Sequence, residues 1–517
     1  MKRERLYLFS ILIIALLLRL YHLDYFSVWD DEARTYIVSA ATSWVNVLKM
    51  QQLQSPANTP LDPLIRHLSM KIGQDTTFFF MLPSVIFSLL GILCSFMLAR
   101  RLFGIPVAMI TAILLTVHPL DIAYAQEGRN YAILNAVIPV ASILLLRAMD
   151  TNKKLNWLLY SISLSICYYS HLLTLGIAIT HGIYFIITIG NDFLHGKSRK
   201  AIIGLFFSYI LSASLSIMLF IPWLLPYFKH SGPTPWIDGP GTIYYSLKDI
   251  ILMFNAGVFK LIPIGLTVIG IAGLLLRREK YALFVVLTIL VSSAASYEAT
   301  KNSFFHIRYI FFILPFFLMV TAYGISLFSE KVLQVLRRVK TNFMRIEYLA
   351  GIILLLIALN NLPVLAAGYK YGWEKNFDGD WRGAAEYVNR QYKESDAIIV
   401  PHRLHANFDT YNKLPTYGFE ASDRQATIIP SNEIIENSLT GRKWGVLVYN
   451  NRNPDDNREI VEYISSKRYS RLWVIWNYEF QLTKRDLLLY LLFKIGKPVD
   501  IQKLNGVVVT LWEMSPK

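Results

Sequence analysis

Apolar stretches long enough to cross a membrane recur along this chain and constrain its fold more than any other feature. A helix of about 20 apolar residues spans the roughly 30 Å hydrocarbon core of a bilayer. We place eleven such stretches among the 517 residues, near 6–23, 78–99, 105–120, 131–149, 156–170, 172–190, 201–226, 257–276, 281–297, 309–328 and 347–366. The sequence therefore predicts a mainly α, polytopic membrane protein with about 11 transmembrane helices.

The basic residues indicate how these helices are oriented. If the N-terminus is cytoplasmic, nearly all of the net charge of +15 falls in loops on one side, at Lys2, Arg3, Arg5, Arg100, Arg101, Arg147, Lys153, Lys154, Lys197, Arg199, Lys200, Arg277, Arg278, Lys280, Lys331, Arg337, Arg338, Lys340 and Arg345. An excess of Lys and Arg is the usual mark of cytoplasmic loops, so the charge requires no nucleic-acid partner. We expect a multi-pass protein of the plasma or inner membrane, whose first apolar stretch is retained as an anchor because no small-residue cleavage site follows it.

The composition changes abruptly after Gly368, where spanning stretches stop. An amphipathic helical pattern at Trp381–Lys393 is followed by short apolar runs, among them Ala397–Val400, Trp444–Tyr449 and Leu472–Trp476. Helices that alternate with buried strands indicate an α/β domain. We therefore divide the chain into a transmembrane domain, residues 1–368, and an extracytoplasmic α/β domain, residues 369–517.

Three adjacent acids, Asp30, Asp31 and Glu32, follow the first apolar stretch at the membrane boundary. Ionisable groups are costly there unless they find partners or perform chemistry. An outward carboxylate could act as a general base toward an acceptor hydroxyl or amine, or could ligate a divalent cation. Alternatively, the acids cap and charge the first turn of a helix, where Asp and Glu are favoured. The residues alone leave both interpretations open.

Charged residues recur in other loops on the same outer side of the membrane. Glu127 and Arg129 lie between the third and fourth stretches, His171 lies between the fifth and sixth, and Arg308 precedes the tenth. Guanidinium groups suit phosphoryl oxygens, so Arg129 and Arg308 are candidates to bind a phosphate. Glu127 and Arg129 could instead form a local ion pair, and His171 could be an interfacial residue with an ordinary hydrogen bond.

The order of these features resembles the integral-membrane glycosyltransferases of the GT-C class. It is most similar to the branch of the dolichyl-phosphate-mannose–protein mannosyltransferases and the aminoarabinose transferases of lipid A. The resemblance rests on the aromatic and acidic pair Trp29 and Asp31-Glu32, and then, in order, on Thr59-Pro60-Leu61-Asp62-Pro63, Arg100-Arg101-Leu102-Phe103-Gly104, Tyr124-Ala125-Gln126-Glu127-Gly128-Arg129-Asn130-Tyr131, Arg308-Tyr309 and Pro315.

The chain departs from the family pattern at two places. Asn58-Thr59 stand where the first loop often has a His, and Met81-Leu82 stand where an Arg is common before Pro83-Ser84. The resemblance therefore assigns no donor or acceptor contact to those positions. The resemblance covers residues 1–330 and assigns no role within residues 369–517.

The resemblance implies transfer of a sugar from a polyprenyl-phosphate-linked donor, in one inverting displacement, to an extracytoplasmic protein, lipid or glycan. Asp31 and Glu32 would be catalytic; Arg129, Arg308 and His171 would bind the donor phosphate; Glu127 and Asp30 would hold the acceptor or a divalent metal ion, which the sequence does not require. The alternatives are an oligosaccharide ligase or polymerase that uses a lipid-linked glycan, or a non-enzymatic transporter. A transporter would be expected to carry charged midplane helices and internal repeats.

Overall fold

The computed structural model describes residues 2–54, 59–74, 76–230, 242–243, 254, 257–277, 279–300, 304–305, 307–338, 346–373, 379–393, 396–412, 416–422, 435–437, 442–450, 469–477, 492–493 and 495–514. The chain forms two compact units. The first, here the helical unit, consists of Met1–Leu23, Gln51–Ile65 and Met81–Lys370. The second, here the mixed unit, consists of Asp24–Met50, Arg66–Phe80 and Tyr371–Lys517.

Helices account for most of the described chain. In chain order they are α1 (Lys2–Leu20), α2 (Asp30–Ser39), α3 (Trp44–Gln54), α4 (Leu61–Ile72), α5 (Thr77–Phe103), α6 (Ile105–Thr116), α7 (Pro119–Ala125), α8 (Tyr131–Thr151), α9 (Lys154–Ser170), α10 (Leu175–Leu194), α11 (Arg199–His230), α12 (Leu261–Leu276), α13 (Ala282–Thr300), α14 (Leu314–Arg338), α15 (Ile346–Tyr371), α16 (Trp381–Gln391) and α17 (His402–Tyr411). Short 3₁₀ helices at Leu172–Thr174 and Ile307–Ile313 precede α10 and α14.

Each of the eleven apolar stretches predicted to span a membrane forms a helix. Within the described residues, seven helical segments are long and apolar enough to span a bilayer, and an eighth results if α6 and α7, bent by 62° at their junction, count as one. The other stretches form α1, which carries several charges, and the shorter helices α9 and α12. The predicted polytopic, mainly α fold is confirmed.

Arg19, a charged residue within the first predicted span, is fully buried in the helical unit. Its guanidinium donates to Asp121 Oδ2 at 2.5 Å, to Ser88 Oγ at 2.7 Å and to the carbonyl oxygens of Ala15, Leu115 and Thr116. The other oxygen of Asp121 accepts from Asn135 Nδ2 at 2.9 Å. All five guanidinium donors are therefore satisfied, as a buried charge requires. This network joins α1, α5, α6, α7 and α8.

Helices α12 and α14 approach so closely that only glycine fits between them. A Cβ on Gly324 would lie 1.9 Å from the Leu266 carbonyl oxygen, and one on Gly270 would lie 2.1 Å from the Val320 carbonyl oxygen. Small residues allow such backbone contact, which stabilises helix pairs in membranes through van der Waals packing. The pair is further joined by Thr267 and Thr321, whose hydroxyl oxygens lie 2.7 Å apart.

The mixed unit contains a seven-stranded sheet in the order β5-β6-β4-β3-β7-β9-β8. The strands are β3 (Asp396–Pro401), β4 (Thr416–Ser422), β5 (Ile435–Asn437), β6 (Arg442–Asn450), β7 (Arg471–Asn477), β8 (Gly496–Lys503) and β9 (Val507–Met514), while β1 (Thr242–Ile243) and β2 (Phe304–Phe305) pair separately. Strands β6, β4, β3 and β7 are parallel, and the outer strands pair antiparallel.

The central strands of this sheet are covered by helices. Trp381 and Val388 of α16 and Phe408 of α17 are fully buried against Ile398 and Trp473. The α/β character predicted for the C-terminal residues is confirmed. Sequence patterns also favour helices near Asp456–Ser466 and Lys484–Lys494. These segments, like the loop 227–256, lie mostly outside the described residues.

Candidate active site

The three acids after the first span begin helix α2 in the mixed unit. Trp29 has extended backbone angles and precedes the first turn, and its N–H donates to Glu32 Oε2 at 3.2 Å. This is the reciprocal contact of a capping box, in which a side chain of the first turn satisfies a free backbone donor. Glu32 is fully buried. Its carboxylate therefore fixes the start of α2.

Asp30 and Asp31 differ in their surroundings. The Oδ1 of Asp30 accepts from Nε of Arg34 at 3.0 Å, one turn later in the helix. Such exposed pairs stabilise a helix by only about 0.3–0.5 kcal/mol. Asp31 is half-buried, and its carbonyl oxygen accepts from the Thr35 hydroxyl at 2.9 Å.

The far face of α2 packs against α4 and the start of α5. The Tyr36 ring lies edge-on to Phe80, with centroids 5.2 Å apart. The fully buried Arg66 lies with Cζ 5.0 Å from the centre of the same ring and donates to the Phe80 carbonyl oxygen at 2.5 Å. His67 Nδ1 lies 2.8 Å from the carbonyl oxygen of Ser39, at the end of α2. These contacts hold the C-terminal half of α2 in the mixed unit.

In the helical unit, the loop between α7 and α8 carries Glu127 and Arg129. Gln126 Nε2 donates to the carbonyl oxygens of Arg19 and Tyr21, at 3.1 and 2.6 Å. The Ser84 hydroxyl donates to the Glu127 carbonyl oxygen at 2.6 Å. The Glu127 side chain is buried. The loop is therefore fixed from both sides, although sequence patterns gave no role to Gln126 or Ser84.

His171 lies at the end of α9, just before the span that starts at Leu172. The neighbouring Ser170 carbonyl accepts from Asn130 Nδ2 at 2.6 Å, which joins this position to the α7–α8 loop. His171 Nδ1 accepts from the backbone N–H of Leu173 at 3.1 Å. Because one ring nitrogen accepts, the proton of the neutral ring lies on Nε2, which can donate to a ligand.

Arg129 and Arg308 both lower the pKa of the His171 imidazole. Burial, and then the positive charges of Arg129 and Arg308, lower the pKa of His171 from 6.5 to about 4. Arg308 Cζ lies 5.8 Å from the centre of the Tyr309 ring, and that ring lies 6.4 Å from His171. The structure thus brings Arg129, His171 and Arg308 together, as two cations beside a neutral donor. Such a cluster is suited to an anion.

The residues named from the sequence therefore fall into two groups. Glu127, Arg129, His171 and Arg308 belong to the helical unit, and Asp30, Asp31 and Glu32 belong to the mixed unit. Among the residues that the structure describes, no group of three or more His, Cys, Asp or Glu side chains is placed to bind a metal ion.

Comparisons with known proteins agree with this architecture. Residues 57–225 match the family model described as dolichyl-phosphate-mannose-protein mannosyltransferase. A search of curated proteins finds no match. Among solved structures, the chain is similar to ArnT from Cupriavidus metallidurans bound to undecaprenyl phosphate, with 12% identity over 97% of each chain and a TM-score of 0.62.

A second fold relative is the archaeal oligosaccharyltransferase AglB from Archaeoglobus fulgidus, in complex with an inhibitory peptide and a dolichol-phosphate. The identity is 11%, over 98% of this chain and 74% of that chain, with a TM-score of 0.50. At such identities the likeness is one of fold. The family match and the fold likeness both agree with the resemblance of this chain to the membrane glycosyltransferases of the GT-C class, in the branch of the protein mannosyltransferases and ArnT.

Proposed function

We propose that this protein transfers a sugar from a polyprenyl-phosphate-linked donor to an acceptor outside the cytoplasm. The observation that carries the proposal is the cluster of Arg129, Arg308 and neutral His171 in a unit built of membrane-length helices. A lipid phosphate places one anionic group at the end of an apolar chain, which fits such a cluster. The solved ArnT and AglB structures, which contain undecaprenyl phosphate and dolichol-phosphate, support this choice of ligand.

The chemistry follows from the donor. An acceptor oxygen or nitrogen attacks the anomeric carbon while the bond from that carbon to the phosphate oxygen breaks, and the phosphate leaves with the electron pair. Arg129 and Arg308, with His171 Nε2 as a neutral donor, stabilise the charge that develops on the phosphate. Asp31 accepts the proton of the acceptor as it attacks. Attack in a single displacement, from the face opposite the leaving phosphate, inverts the anomeric centre. Glu32 sets the geometry of α2, and Glu127 is assigned to the acceptor.

Two observations bear on the alternatives. Arg19 would be expected to line a polar path in a transporter, but its charge is buried and paired with Asp121. The fold likeness to AglB keeps transfer of a longer, lipid-linked glycan as the second candidate.

The orientation assigned to the protein, with a cytoplasmic N-terminus, follows the positive-inside pattern of its loops.

The decisive experiment compares the masses of surface glycans, glycoproteins and lipids from cells with and without the gene. We expect one product to lose a single sugar residue, and expression of the wild-type chain to restore it. Asp31→Asn should fail to restore the product, while Glu386→Gln, which removes an exposed carboxylate that pairs with Arg390 one turn later in α16, should restore it. Restoration by Asp31→Asn at the wild-type level would refute the proposal, and loss of a whole oligosaccharide would favour the second candidate.

A further inference from the structure

We propose that the C-terminal part of the chain positions the catalytic acid, through Arg382, Asn407 and Tyr411 acting on the segment that leads into α2. This inference rests on the role of Asp31 proposed above. The sequence resemblance assigns nothing to residues 369–517, and the mechanism has so far used none of them. The contacts that carry the proposal all lie within the mixed unit.

Arg382, near the start of α16, holds the first part of the segment. Its guanidinium donates to Asp24 Oδ1 at 2.6 Å and to the Asp24 carbonyl oxygen at 2.8 Å. The Arg382 backbone N–H donates to Ser27 Oγ at 3.1 Å. A forked arrangement that binds both a carboxylate and the main chain restricts position and orientation together. The segment therefore cannot slide along α16 without loss of several hydrogen bonds.

Helix α17 holds the two backbone polar groups of Val28. The Val28 N–H donates to the Tyr411 hydroxyl at 2.8 Å, and the Val28 carbonyl accepts from Asn407 Nδ2 at 3.3 Å. Val28 and Asn407 are fully buried, so water cannot replace these partners. Burial also raises the pKa of Tyr411, which keeps its hydroxyl neutral. The next residue, Trp29, donates to Glu32, so that consecutive residues fix the start of α2.

Helix α17, which makes these contacts, is packed against the central strand of the sheet. Phe408 of α17 is fully buried against Ile398 and Val400 of β3, the central strand of the sheet. Arg382 Cζ lies 5.1 Å from the centre of the Tyr411 ring, which links α16 to α17. A continuous set of packed groups therefore runs from the sheet through α17 to Val28, three residues before Asp31. Catalytic geometry is sensitive to shifts of about 1 Å, so loosening this support should slow transfer.

The test uses the full-length chain in membranes that supply the donor and acceptor, with transfer followed as the mass increase of the product. Tyr411→Phe and Asn407→Ala each remove one hydrogen bond to Val28. We expect the turnover rate to fall about tenfold, with donor KM and binding of added undecaprenyl phosphate changed less than twofold. The matched control is Tyr387→Phe, because Tyr387 lies on α16 and its hydroxyl donates to Asp500 instead. We expect the control to behave as wild type.

A double variant distinguishes positioning from general damage. Asp31→Glu moves the carboxylate by one methylene, so a further shift of α2 should add little. We expect Tyr411→Phe to slow the Asp31→Glu enzyme much less than it slows wild type. Equal slowing in both backgrounds, or wild-type rates for Tyr411→Phe and Asn407→Ala, would overturn the positioning role and leave the proposed function intact. Normal transfer by Asp31→Asn would instead overturn the proposed function itself.

Discussion

At the scale of single residues, the neighbouring acids at the start of α2 make different contacts. Glu32 is fully buried and accepts from the Trp29 N–H, whereas Asp30 pairs with exposed Arg34. The sequence offered helix capping and chemistry as competing explanations of the whole cluster. The structure shows capping at Glu32, and the chemical role assigned to Asp31 remains a proposal. Burial, which depends on tertiary contacts, separates Glu32 from Asp30 and Asp31, which are both half-buried.

Arg308 gives the first prediction at this scale. Arg308→Lys keeps the charge but removes the planar fork that suits phosphate oxygens. We expect undecaprenyl phosphate to bind about tenfold more weakly, since hydrogen bonds to a charged group contribute about 1.5–3 kcal/mol. Binding can be measured by native mass spectrometry of the purified protein. The control is Arg34→Lys, whose exposed side chain pairs with Asp30. Equal affinities for wild type and Arg308→Lys would contradict the phosphate role.

His171 gives a prediction on pH. Its pKa is lowered from 6.5 to about 4, so the unfolded chain takes up this proton before the folded chain does. The stability that His171 contributes is therefore full above pH 6.5 and is lost as the pH falls toward 4. Thermal unfolding followed at several pH values should show a shallower acid loss for His171→Gln than for wild type. His195→Gln, at the exposed end of α10, serves as the control, and parallel curves for all three proteins would count against the assignment.

At the scale of elements, the apolar stretches were predicted well because lipid forces every backbone polar group into a helix. The mixed unit was harder to predict. Helix α17 has the polar sequence His402–Tyr411, and its place in the fold comes from Phe408 on β3 and from Tyr411 on Val28. A local sequence pattern cannot indicate the hydrogen bond between Val28 and Tyr411, which lie 383 positions apart. For the same reason, the sequence did not indicate that residues 24–50 and 66–80 join the C-terminal unit.

The α12–α14 pair gives a prediction at this scale. Gly324→Ala would place a Cβ 1.9 Å from the Leu266 carbonyl oxygen and 2.9 Å from the Gly270 nitrogen, so the helices must separate. We expect a loss of about 1–3 kcal/mol in the free energy of unfolding, as for other overpacked sites. Gly265→Ala is the matched control on α12, because its Cβ would meet nothing within 4 Å. Thermal unfolding in detergent measures both, and equal stability of the two variants would show that the pair is not packed in this way.

At the scale of the whole molecule, the buried pair of Arg19 and Asp121 joins α1 to the α6–α7 junction that leads into the Glu127 and Arg129 loop. The network therefore connects the first helix of the chain with a predicted phosphate-binding loop. The sequence places the charge of Arg19 within the first apolar stretch but does not indicate its partner. The two residues are 102 positions apart, and pairing across that distance depends on how the helices pack.

This pair gives the prediction for the whole molecule. Arg19→Met or Asp121→Leu alone leaves one charge buried without its partner, so we expect each to lower stability by about 3–5 kcal/mol. The double variant removes both charges and should be more stable than either single variant. The yield of monodisperse protein and its thermal unfolding temperature measure this coupling. Additive losses in the double variant would mean that the pair is not the main cause.

The same pair has a consequence for how the protein is made. Arg19 is synthesised 102 residues ahead of Asp121, which at ordinary synthesis rates corresponds to about 5–20 seconds. During that interval the side chain of Arg19 lacks Asp121 and must find other partners, such as headgroups, water or the insertion machinery. The buried hydrogen-bond network of Arg19 can therefore be completed only after α7 has been synthesised. Entry of the first helix into the membrane and its final packing are thus separate events, and the second waits until the two charges meet.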